Sequence, residues 1–102
     1  MTAISLREAA KQLRAQADDH NEGRCSMPHC RQLRALASLL DGDGEGGLLG
    51  RRDFLAKQAT DPWVAQYSEF SRTIARRRDE LEMALTLVAA YVSAVLGQEV
   101  QP

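Results

Sequence analysis

The residues closest to ligand chemistry are the alternating carboxylates and glycines of Asp41-Gly-Asp-Gly-Glu-Gly-Gly47. Asp41, Asp43 and Glu45 fill positions one, three and five of an EF-hand calcium loop, with Gly46 at the turn and Leu48 at the apolar eighth position. Hard oxygen donors in that rhythm hold a divalent cation when a bidentate carboxylate closes the loop at position twelve. Position twelve is Arg52, and Asp53 takes that role only if the loop carries one extra residue. Four glycines in seven residues are explained without a metal, as a flexible connection between helices. No metal is assigned, and a degenerate EF-hand-like metal sensor is kept as an alternative.

His20, Cys25, His29 and Cys30 are zinc-ligand types within eleven residues. Zinc sites use two close pairs separated by a longer loop, and neighbouring helical residues diverge by about 100°. His29 and Cys30 therefore converge poorly. Cys30 in the first turns of a helix would favour thiolate, whereas burial would make it a small apolar side chain. Arg76-Arg77-Arg78 spreads over about 200° of a helix and precedes Asp79, Glu80 and Glu82. Pairs Arg76–Glu80 and Arg78–Glu82 make it a solvated, salt-bridged turn. Arg77 also falls on the heptad line of Trp63, Phe70, Ala84 and Tyr91, where a core stripe meets solvent or an acidic partner. Direct DNA binding through Arg31, Arg34, Arg51 and Arg52 is the other alternative, but a net charge of −1 supplies no attracting field. Phosphate-cradling glycine motifs and a nucleophile setting are both missing, so neither an enzyme nor a cofactor is expected.

The elements that position these residues are helical. Fifteen Ala and thirteen Leu against five aromatic residues favour helix over sheet. One domain of 102 residues buries only roughly 60–70% of its unfolded surface. Eleven Arg against two Lys, with the alanine richness, fit a GC-rich bacterial genome. The N-terminus lacks an apolar signal core, and the C-terminal apolar run falls short of the roughly 20 residues a membrane span needs. With two cysteines, the expected address is a reducing cytoplasm.

The spacing predicts an all-α bundle of about four helices, near 5–19, 27–40, 51–59 and 62–96, with a flexible glycine-rich loop at 41–50. Leu6, Ala9, Ala10, Leu13 and Ala17 form the apolar stripe of the first helix. Leu33, Leu36, Leu39 and Leu40 do so in the second, and Phe54, Leu55 and Ala59 in the third. Asp61-Pro62 is an N-cap followed by proline at the first helical position. Gly97 should stop the last helix, with Gln98 to Pro102 fraying.

A single helix from Asp61 to Leu96 would span roughly 54 Å, while a small domain is about 30 Å across. From Leu81 to Val95 it is apolar around its whole circumference, which calls for a surrounding of protein. Leu81, Leu85, Val88 and Val92 are expected to join the protomers of a homodimer. Trp63, Tyr67, Phe70 and Ile74 hold most of the aromatic surface: the first reading is core under the short helix of Phe54 and Leu55, and the sharper one is an anchor for a protein partner, aromatics being enriched at binding hot spots.

Glu82-Met83, Ser93 and Leu96-Gly97, set in this apolar run, resemble the last helix of quorum-sensing anti-activators of the TraM type, with QslA as a functional analogue. The resemblance covers roughly the last 20 residues and needs a gap. It implies a non-enzymatic all-α dimer that binds a LuxR-type transcription factor and blocks its dimerisation or DNA binding. No family residue transfers as a contact.

Overall fold

The computed structural model describes residues 2–19 and 28–102, with backbone alone at 43–46. It is all-α: α1 (Leu6–Asp19), α2 (Pro28–Asp41), α3 (Asp43–Ala59), α4 (Pro62–Ala65) and α5 (Ser68–Leu96). α1 follows its sequence stripe residue for residue: Leu6, Ala9, Ala10, Leu13 and Ala17 are its buried positions. Its small alanines allow close approach to α2, which contributes Cys30, Leu33, Ala37 and Leu40. Leu36 is half-buried and Leu39 exposed, so the inward face of α2 is rotated from the leucine stripe toward Cys30 and Ala37. Ion pairs tie α1 to its neighbours, Arg14–Asp41 and the longer Arg34–Asp18 to α2 and Arg7–Asp53 to α3.

The glycine-rich segment is not a loop. α3 begins at Asp43, immediately after the N-cap Gly42, and absorbs most of the stretch expected to connect helices. Local glycine cost is overridden by burial, because Leu49 is fully buried and Leu48 packs against the core. The glycines instead allow close passage. A Cβ at Gly42 would stand 2.1 Å from the Ser38 carbonyl oxygen, and Gly47 has φ 64° with Leu39 O at 2.7 Å. The break that composition suggests is thus compressed into one left-handed residue inside a helix.

The expected helix over 62–96 is also interrupted. Asp61 does cap it, its carboxylate accepting from the Trp63 amide at 2.8 Å, with Pro62 in the first turn. After one turn the chain leaves the helix at Tyr67, which is extended at φ −112° and ψ 104°. Trp63, Val64 and Tyr67 are weak helix formers, so little opposes the break. The Val64 carbonyl accepts from the Tyr67 amide at 3.1 Å and from the Ser71 hydroxyl at 3.2 Å. α5 continues for 29 residues, roughly 43 Å. Its inner face, with Leu81, Leu85, Ala89 and Val92 buried, packs against α1 and α3.

Beyond Gly97 the tail is pinned, contrary to the expected fraying. Ile4 donates to the Glu99 carbonyl at 3.0 Å and accepts from the Gln101 amide at 2.8 Å, while Val100 is buried. The molecule measures 54 × 30 × 18 Å with a radius of gyration of 16.1 Å, against about 13 Å for a compact domain of this length. α5 is the reason: it outruns the bundle it organises.

Candidate functional site: the outer surface of α4 and α5

The break at Tyr67 gathers three rings. Trp63 and Tyr67 have centroids 5.0 Å apart, Trp63 stacks on Phe70 at 5.9 Å, and Tyr67 meets Phe70 edge-on at 5.7 Å. Mutual contact does not bury them: Trp63 is 58%, Tyr67 46% and Phe70 50% exposed. Ile74, grouped with them by spacing, points inward and is buried. The exposed part of that group is therefore a three-ring surface, without Ile74.

The four positions expected to join protomers are placed differently. Leu81, Leu85 and Val92 are buried in the chain's own core, and Val88 packs against it. In this conformation Leu81, Leu85 and Val92 have no surface to offer, and Val88 is half-buried. On the opposite side of the same helix lie Met83 and Leu87, 69% and 73% exposed, with Tyr91 beside them. All-round apolarity of this segment was readable, but which side faces inward is set by where α1 and α3 sit. Periodicity within α5 could not assign it.

Between α3 and α5 a half-open cleft of about 810 Å³ separates the aromatic cluster from this stripe. Leu48, Leu55 and Leu81 contribute apolar lining, with Phe54 exposed at its lip. Arg51, Arg77 and Glu80 add charge. Arg76–Glu80, at 4.0 Å and largely exposed, is a weak pair, and Arg78–Glu82 is not seen among the described residues.

Neither metal pattern is assembled. Asp41 is held by Arg14, through a hydrogen bond of 3.0 Å to Oδ2 and an ionic contact of 2.6 Å at Oδ1 outside hydrogen-bonding angles. The backbone from Asp43 onward is helical and does not wrap a cation. Among the described residues no three His, Cys, Asp or Glu converge as ligands. His29 is exposed and Cys30 buried, while His20 and Cys25 lie outside the described residues. Of the four arginines of the DNA reading, Arg34 approaches Asp18 at 3.8 Å and the Ala17 carbonyl at 3.5 Å, at the negative end of α1. Arg51 lines the cleft, Arg31 is exposed and Arg52 half-buried.

Fold and surface together define a small all-α protein with a long C-terminal helix whose C-terminal half exposes Met83, Leu87 and Tyr91 on its outer side. No helix among the described residues is long and apolar enough to cross a membrane. No family model, curated protein or solved structure matches the chain.

Proposed function

We propose that this is a non-enzymatic, cytoplasmic regulatory protein that binds and inhibits a LuxR-type transcription factor as a quorum-sensing anti-activator. The carrying observation is the Trp63–Tyr67–Phe70 cluster, three large rings packed on one another and still half open to solvent. Aromatic surface of this kind releases much free energy when a partner covers it, roughly 25 cal/mol per Å². The mechanism is occlusion: the rings and the adjoining α5 surface cover the regulator's own dimerisation or DNA-binding face. The resemblance of the C-terminal helix to anti-activators supplies the partner class. A homodimer belongs to the same reading, built on the outer stripe of α5 instead of the core positions.

The test is fluorescence anisotropy of operator DNA carrying a purified LuxR-type regulator from the host bacterium. Adding this protein should release the DNA, and Trp63→Ala with Phe70→Ala should abolish release. This protein alone should not retain the DNA at low salt, where direct phosphate contacts would be strongest. Failure to release any of the host's LuxR-type regulators would overturn the assignment.

A further inference from the structure

We propose that the outer face of α5 is a self-complementary seam, occupied by a second, antiparallel copy of this chain, and that this copy covers the surface a protein partner would use. The competition rests on the protein-binding reading above; the seam does not. Phe70, Arg77, Ala84 and Tyr91 recur every seven residues, and Thr73, Glu80 and Leu87 fall three residues after the first three of them. This is the alternating three–four spacing of a coiled-coil seam. All seven are exposed or half-exposed, because the inward face of α5 belongs to Ile74, Leu81, Leu85 and Val92.

In an antiparallel pair the two classes of seam position face each other. A two-fold axis between Arg78 and Asp79 sets Arg77 opposite Glu80 of the partner subunit, twice by symmetry. The same axis sets Phe70 opposite Leu87 of the partner subunit and Thr73 opposite Ala84 of the partner subunit. Tyr91 of the partner subunit then falls at the start of α5, beside the break at Tyr67. Charge selects this register. Slipping by half a heptad to an axis at Glu82 would set Arg77 opposite an apolar Leu87 and leave Glu80 facing Ala84, with neither charge answered. Among the described residues Arg77 has no ion pair within its own chain, and Glu80 has only the weak one to Arg76.

Area agrees with a missing copy. The chain exposes 7098 Å², against roughly 5,700 Å² for a compact monomer of 11.3 kDa. The excess, about 1,400 Å² over the whole elongated chain, leaves room for the roughly 800 Å² that each partner contributes to a standard interface. A second α5 laid on the seam also closes the open side of the α3–α5 cleft, whose lining includes Arg77, Glu80 and Ala84.

Sedimentation equilibrium of the full chain tests this with Arg77→Glu, Glu80→Arg and the two combined, circular dichroism confirming that each folds. The wild type should dimerise, each single reversal should weaken the dimer at least about tenfold, and the combined swap should restore it. A wild type that stays monomeric, single variants that dimerise unchanged, or a combined variant no better than the singles would each overturn the seam. Because Arg77 lies on the shared surface, the competition is read on the wild type, whose capture of the regulator per chain should fall as concentration rises through the dimer range. Constant capture per chain would remove the competition while leaving the seam. A dimer with these properties that captures no regulator would sink the proposed function alone.

Discussion

Leu85 and Leu87 stand two residues apart on α5 and should respond oppositely to truncation. Leu85 is 1% exposed and part of the continuous core with α1 and α3. Leu85→Ala removes buried methyl groups and leaves a void that helices pinned by neighbouring side chains cannot close. Such substitutions cost about 2–5 kcal/mol. A domain of this size is stable by roughly 5–15 kcal/mol, so one residue removes a large share. The melting temperature should fall by about ten degrees or more. Leu87 points to solvent, and Leu87→Ala should leave the monomer within about 0.5 kcal/mol of wild type. The assay is thermal and urea unfolding followed by circular dichroism, at the lowest workable protein concentration so that self-association adds little. Equal losses for the two variants, or a near-silent Leu85→Ala, would refute the placement of the core on one side of α5. At high concentration the ranking should narrow, because only Leu87→Ala removes a seam contact.

Three further outcomes follow from local geometry. Gly47→Ala places a Cβ at 2.7–2.8 Å from the Leu39 and Leu40 backbone at φ 64°, and should cost about 1–3 kcal/mol in urea unfolding; a neutral result would refute the left-handed turn. Asp61→Ala removes the cap on the Trp63 amide, should cost about 0.5–2 kcal/mol and should shift Trp63 fluorescence as the ring cluster loosens. Calorimetric titration with calcium should give no saturable heat, since Arg14 already holds Asp41 and the following backbone is helical; a stoichiometric isotherm would refute this.

Much of the architecture was legible where a helix has one apolar face. α1 shows it most clearly, its five stripe residues being its buried residues. Asp61-Pro62 marked a true helix start because capping is chemistry between near neighbours. The glycine segment misled because propensity is a local quantity of about 1 kcal/mol per residue, and burial of Leu49 outweighs it. The break at Tyr67 carries no proline or glycine signal. It follows from stacking three rings whose gain, about 0.5–1.5 kcal/mol per pair, appears only when they meet in space. The pinned tail depends on Ile4, nearly the whole chain away from Val100.

The candidate site was half legible for a reason that lies in α5 itself. A helix apolar on every side announces that it must be surrounded, but its period does not say which neighbours belong to its own chain. Heptad positions through Ile74 and Leu81 and those through Phe70 and Ala84 share one spacing, the first apolar throughout and the second interrupted by Arg77. The bundle selects the first set, since α1 and α3 deliver Leu6, Leu13, Leu49 and Leu55 to that side. What remains is a second regular line carrying one cation and one anion at adjacent seam positions, between Thr73 and Ala84 and with Phe70 and Leu87 beyond them. A solvent-facing surface has no use for that regularity, because exposed positions tolerate almost any polar residue. Charge set within apolar surface costs desolvation unless it is answered, so its natural complement is a surface presenting the same two charges in reverse order. An antiparallel copy presents them in that order.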